Sequence, residues 1–566
     1  MRQISAGFGV GGLLAVGMAL VPSAANAQGV PGDRIDAIER QIKGLQTELQ
    51  HLKDELGEAR QQVQQSRGEA LRAQQELRAA RRAAAEAQQG AASAAVSETR
   101  AAEAAAQAKA FVAVPPAPIP PPGAKLPDGT FAAQAVQTRP GNRFGIESAD
   151  GRNSIYLTGR LHFDVGDYLD YHPQSKAATV QDLNSGVNAR RARLGVTGKF
   201  DADWLYTLIY DFGGSTDGTP GAVGSGIQTA QITYNGFNEG PWPVAIDIGY
   251  MDTPFTLQEA TSSNDLLLVE RASIQAVASN IFANDFRSAL GLRSNNYLYW
   301  AGVYLTGPQS GAAHTSGEQY GAFGRATYQV LQTPEYSVHL GGDVGGLLKP
   351  PTVGGFQTIT LSDRPELRID PTSILSTGSL GTLAHPVTNA AVYGVEGAVG
   401  YRNFFVEGEY YHVEVDRTGL ASNGFDGGYI EGSWILTGEQ RKYSPTSGAY
   451  TNPVPEHRFS PWDGEYGLGA LELVGRFSTI SLNDNFTAGV APAATSNAVG
   501  GGKQTVYAVG LNWYPNANIR FMFDYLHGSI DKRFSTAAGG GAAGTVLGTP
   551  VGGTMDAVVL RSQFAF

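Results

Sequence analysis

The chain has 566 residues, no cysteine, 16% charged residues and a formal net charge of −11. The lack of cysteine excludes disulfides, thiolate metal sites and a thiol nucleophile. The acidic balance argues against a nucleic-acid partner, although net charge does not say where individual charges sit.

The first 27 residues read as a secretory signal peptide. Arg2 supplies the positive end, "GFGVGGLLAVGMALV" the apolar core, and Ala25–Ala27 the small-residue cleavage pattern, so the mature chain is expected to start at Gln28. No later stretch is long and apolar enough for a transmembrane helix. Residues 28–111 read as a coiled-coil helix: Ile35, Ile38, Ile42, Leu45, Leu49, Leu52 and Leu56 recur in alternating steps of three and four. Isoleucine at both core positions favours a trimer over a dimer. The seam thins to alanine after Val63, where a single solvated helix is the competing reading. Residues 112–142, opening "VAVPPAPIPPPGAKLPDG", form a proline-rich linker.

From 143 to 566 the period changes to two. In "NARRARLGVTGKF", Ala192, Leu194, Val196 and Phe200 share one face and Arg191, Arg193, Thr197 and Lys199 the other. "DWLYTLIYDF" gathers Trp204, Tyr206, Leu208, Tyr210 and Phe212, and the last strand carries Val558, Leu560, Phe564 and Phe566 on its apolar parity. Sixteen such runs are expected, from 153–171 through a twelfth at 427–439 to 554–566, joined alternately by tight turns and long loops. The fold class is therefore all-β: a 16-stranded antiparallel transmembrane β-barrel, apolar toward lipid and polar within, preceded by an N-terminal α-helical coiled coil.

Several segments resemble the phosphate-selective porin O/P family of Gram-negative outer membranes: "RRARLGVTGKF…YDFGG", "TPFTLQEATSSNDLLLVERAS", "GSWILTGEQRKY", "GALELVGRFS" and "GLNWYPNANIRFMFDYLH". The resemblance implies a homotrimer of sixteen-stranded barrels in outer-membrane lipid. It also implies inward-folded loops, small anions as permeants and recognition of Phe566 by the barrel-assembly machinery. The chain departs from the family at Asp252, where a lysine is usual. Lysine is scarce in the barrel region, occurring only at Lys176, Lys199, Lys349, Lys442, Lys503 and Lys532.

Parity places Arg160, Arg191, Arg193, Lys199, Arg287, Arg293, Arg325, Arg476, Arg520 and Arg561 in the lumen as candidate anion contacts, with the Arg190–Arg193 cluster the densest. Asp164, Asp247, Glu407, Glu409, Glu472 and Asp524 share that face. A basic ladder would favour anions; a wall braced by arginine–carboxylate pairs would select weakly. The link 440–465 is unusually long for its end of the barrel, and is expected to fold inward and narrow the pore through Arg441, Lys442 and Arg458, with packing on the periplasmic rim or against the helix as the alternative. No catalytic motif stands out, and no enzyme activity, cofactor or metal is expected. The function expected is an anion-preferring outer-membrane porin with its coiled coil in the periplasm. The alternatives are a weakly selective porin, or an envelope-tethering barrel with the helix as its stalk.

Overall fold

A computed structural model describes residues 137–139, 143–148, 151–175, 183–213, 226–238, 242–308, 318–461, 467–487, 497–534 and 548–566, with residues 43, 44, 47 and 50. The chain divides into two compact units, Met1–Ala132 and Ala133–Phe566. In the first, the four described residues are helical; the expected signal peptide, most of the coiled coil and the proline-rich linker lie outside the described residues.

The second unit is a closed barrel. Its first half runs β1 (Ser154–Pro173), β2 (Gly186–Phe200), β3 (Trp204–Asp211), β4 (Gly226–Phe237), β5 (Val244–Thr253), β6 (Asn284–Asn295), β7 (Tyr299–Thr306) and β8 (Tyr320–Gln332). The second half continues β9 (Tyr336–Lys349), β10 (Val387–Tyr401), β11 (Phe404–Arg417), β12 (Asn423–Ile435), β13 (Ala470–Asp484), β14 (Val499–Tyr514), β15 (Ile519–Asp531) and β16 (Gly553–Ala565). Every strand pairs antiparallel with its sequence neighbours, and β16 closes on β1 with Leu560 opposite Val165. Closure extends to the last residue: Gly159 N donates to Phe566 O and Phe566 N to Gly159 O, each at 3.0 Å. Among the described residues the sheet thus closes on itself and presents no open edge to lipid.

Alternation decides which face each side chain takes. On β2, Leu194 is 51% exposed on the outside while Arg191, three residues earlier, is 1% exposed on the inside. Aromatic rings gather outside near the tight-turn end, where Trp204 lies 4.7 Å from Tyr234, Tyr336 4.6 Å from Tyr401 and Phe404 5.6 Å from Trp434. This is the girdle expected at a membrane–water boundary. The β2–β3 turn is tight because Asp201 (φ 49°) and Ala202 (φ 65°) both take the left-handed conformation.

Among the described residues, three connections enter the barrel. Residues 254–283, after β5, carry helices α1 (Leu257–Ala260) and α2 (Ser273–Asn280). Residues 350–386, after β9, carry a small hairpin pairing Thr360–Asp363 with Leu375–Ser379. From the tight-turn end, 436–469 carries a hairpin pairing Tyr443–Ser444 with Ala449–Tyr450.

Candidate pore

The 254–283 loop is held by side chains from half the wall. Thr256 caps α1, its Oγ1 accepting from Glu259 N at 3.0 Å, and Glu409 of β11 accepts from Leu257 N (2.5 Å) and Gln258 N (3.3 Å). Asp524 of β15 accepts from Val269 N at 2.8 Å. Arginines bind the loop's carbonyls: Arg520 donates to Asn264 O and Leu267 O (3.1 Å each), Arg476 to Glu270 O (2.8 Å) and Arg561 to Val269 O (2.5 Å). An apolar core then forms inside the barrel, where Phe255 packs 5.0 Å from Phe282 and 5.2 Å from Phe323. Each such ring pair adds about 0.5–1.5 kcal/mol beyond its buried area.

The two other inserted segments lock onto this loop. Glu366, in 350–386, accepts from Ser273 N (2.9 Å), Arg476 (2.6 Å) and Ser478 (2.6 Å). From the opposite end, Asn452 N donates to Asp265 Oδ1 at 3.0 Å and Asn452 Nδ2 to Asn264 O at 2.6 Å. Arg441 pairs bidentately with Glu472 (2.7 and 3.0 Å) while donating to Asp265 O at 2.8 Å. The tip of the 443–450 hairpin presents the Ser447 and Gly448 carbonyls to Arg325 (3.0 and 2.8 Å) and the Thr446 carbonyl to Trp300 Nε1 (3.1 Å). Gly448 has φ 64°, and a Cβ there would stand 2.9 Å from Trp300; the tight approach and the left-handed turn both ask for glycine.

The inner-face cations therefore have defined partners. Arg561 forms a bidentate pair with Asp164 (2.6 and 2.7 Å) and reaches Glu270 (3.0 Å). Arg325 grips Glu396 at 3.0 and 2.8 Å, Arg193 meets Asp211 at 2.7 Å and Arg293 meets Asp247 at 2.9 Å. Arg190 pairs with Glu270 at 2.7 Å, and Arg191 is fully buried with His162 Nδ1 at 3.5 Å from its Nη1. Arg287 donates to the Ala283 carbonyl and to Asn280 O and Gly307 O at 2.7 and 3.4 Å. Lys199 is partly exposed, 3.6 Å from Glu147. Of the inserted cations, Arg441 is buried, whereas Lys442 and Arg458 are exposed. Arg458 lies beside Phe459, whose N donates to Pro515 O at 2.7 Å, which puts it at the tight-turn rim.

All ten strand cations do lie on the inner face, but in the Arg190–Arg193 cluster Arg190 and Arg191 are buried while Arg193 borders a cavity. Four inward carboxylates, Asp211, Asp343, Glu396 and Glu431, are further members of the wall that the sequence reading did not include. Asp343, Glu396 and Glu409 bring their oxygens within 4.8 Å of one another, and Arg325 and the Tyr411 hydroxyl, 2.8 Å from both Asp343 and Glu409, bond into that cluster. In the inserted loop, burial opposes the charge on Glu270, yet Arg190, Arg561 and Arg191 hold it well below the usual carboxylate range. Burial pushes Asp265 above the usual Asp range, against the pull of Asn452 N–H, Arg441, Arg520 and Arg160.

Open space remains along the β1–β7 wall and beside β1, β15 and β16. A cavity of about 440 Å³ is bordered by Arg160, Arg193, Arg293, Asp247, Glu259 and Asp265 among others. A second of about 410 Å³ continues past Arg160, Asn452 and Arg520 to Asn518 and Phe566 near the tight-turn end. Arg160, Ser262, Asp265 and Thr451 border both.

A model of the family described as phosphate-selective porin O and P matches residues 155–566. Porin O of Pseudomonas aeruginosa is 24% identical over 401 residues, covering 68% of this chain and 85% of that protein. Among solved structures, OmpT of Vibrio cholerae aligns with a TM-score of 0.43 at 10% identity, covering 75% of this chain and 99% of that one. The anion-selective porin from Comamonas acidovorans aligns with a TM-score of 0.43 at 14% identity, covering 73% and 100%. The family match reaches from the start of β1 to the last residue, across the whole barrel wall and all three inserted segments: the chain belongs to the phosphate-selective porin O and P family.

Proposed function

We propose that the protein is a bacterial outer-membrane porin in which small polar solutes diffuse along the β1–β7 wall and then beside β15 and β16, past the inserted loops, with only a weak preference for anions. The observation that carries this reading is the pair of adjoining polar cavities sharing Arg160, Ser262, Asp265 and Thr451. A ring of cations that selects strongly for anions must present its charge to the permeant. Here Arg325, Arg476 and Arg561 face loop carbonyls and carboxylates instead. Arg160 and Arg520 do border the second cavity, which favours anions there. No lysine borders either cavity among the described residues, so a lysine-based phosphate trap has no support at this place. The reversal potential under a KCl gradient tests the reading. A small displacement toward the chloride potential is expected; a value close to that potential, or one on the potassium side, would overturn weak anion preference.

A further inference from the structure

At the long-loop end of the barrel a third cavity, of about 450 Å³, lies between two of the inserted segments. Its floor is α2, through Val277 and the following Ile281, both buried. The helix is pinned at each end, Ser273 N donating to Glu366 at 2.9 Å and Asn280 O accepting from Arg287 at 2.7 Å. One wall is a short hairpin of the 350–386 segment, in which Thr352–Val353 pairs with Phe356–Gln357 and Val353 stands opposite Phe356. Its two-residue turn, Gly354 (φ 63°) and Gly355 (φ 91°), is left-handed at both positions and asks for glycine. Ile359 and Leu361 line the next stretch of the same segment, and Leu361 N donates to Thr377 Oγ1 at 3.0 Å. The remaining lining is uncharged: Thr358, Thr360, Ser362, Ser379 and Gln319 bring hydroxyls and an amide. Among the described residues no charged side chain borders this cavity, whereas Arg293 and Asp247 border the first and Arg520 the second.

We infer that this cavity is a binding site for an uncharged solute with an apolar ring at one end and hydroxyl groups at the other, as in an aromatic glycoside. A charged solute would shed its hydration here with no opposite charge to replace it. A wholly polar one would leave Val353, Phe356 and Ile359 uncovered. A ring set over those three side chains removes apolar surface from water on both partners, while its hydroxyls meet Thr360, Ser362 and Gln319. In the porin reading above, this end of the barrel is the external mouth, so the site would hold such a solute before it reaches the charged lumen. That role rests on the porin reading; the binding itself does not.

Equilibrium dialysis against the full-length protein in lipid nanodiscs, with protein-free nanodiscs as the blank, tests this with neutral phenyl β-glucoside and anionic phenyl β-glucuronide. The glucoside is expected to bind saturably and about tenfold or more tighter than the glucuronide, whose carboxylate finds no cation in the lining. Val353 is 58% exposed, so Val353→Asp spares the fold while setting a carboxylate against the ring. It is expected to lower the affinity for the glucoside about tenfold. Leu383→Asp, in the same segment and exposed but outside the cavity, is expected to leave that affinity unchanged. Absence of saturable binding, equal affinity for the two probes, full affinity in Val353→Asp, or an equal loss in the two variants would overturn the inference. Dialysis does not depend on permeation, so a protein that conducts nothing would bring down the porin reading and leave this result standing.

Discussion

Removing residues 444–460 should raise single-channel conductance by roughly twofold or more, since permeation is limited at the narrowest section of the lumen. The segment supplies Ser444, Ser447, Tyr450 and Thr451 to one cavity and Thr451, Asn452, Pro453 and Val454 to the other. Its loss also breaks the Asn452 bonds to Asp265 and Asn264. The 254–283 loop keeps its other anchors, Glu409 at Leu257 N, Asp524 at Val269 N and Arg561 at Val269 O. The barrel should therefore assemble with its upper constriction intact and its lower one gone. A folded deletion variant with unaltered conductance would show that the hairpin does not limit the pore.

Arg561→Ala should be among the most damaging single substitutions in the wall. The guanidinium is 1% exposed. It satisfies both Asp164 oxygens, reaches Glu270 and holds the Val269 carbonyl. Its removal leaves Asp164 buried without that partner, and breaking a buried pair from one side costs about 3–5 kcal/mol. Arg402→Ala, which removes an exposed pair with Glu335, should leave stability unchanged within error. Denaturant titration of the refolded barrels compares the two, and equal midpoints would contradict the bracing role given to Arg561.

The strands were legible because alternation in a membrane barrel is enforced on both sides. A charge on the lipid face near the bilayer midplane costs about 2–4 kcal/mol, so "RRARLGVTGKF" and "GALELVGRFS" each announce their inner and outer rows. Legibility failed where glycine thins a row. Strand β12 was expected at 427–439 and lies at Asn423–Ile435. Gly424, Gly427 and Gly428 mute its start, while Leu436 continues the outward row past the last paired residue. The same dilution hid Asp343 and Glu396, set among glycines on β9 and β10.

Parity also placed the arginines on the correct face without revealing what they touch. The partners of Arg561, Arg476 and Arg325 include Val269, Glu366 and Ser447, on inserted loops far away in sequence. A periodic pattern within one strand carries no information about such contacts. The inward course of 440–465 was readable from its length and its place in the alternation of turns. Arg441 proved to be the buried anchor and Arg458 a residue of the rim.

Single-channel recording of the purified full-length protein in a planar bilayer tests whether the barrel conducts. If the two adjoining cavities, one along β1–β7 and one beside β1, β15 and β16, form a continuous aqueous path, folded protein will give steady ohmic conductance steps. Folded, inserted protein that leaves the bilayer silent would contradict the account, because a barrel sealed by its three inserted segments would be an anchor rather than a pore.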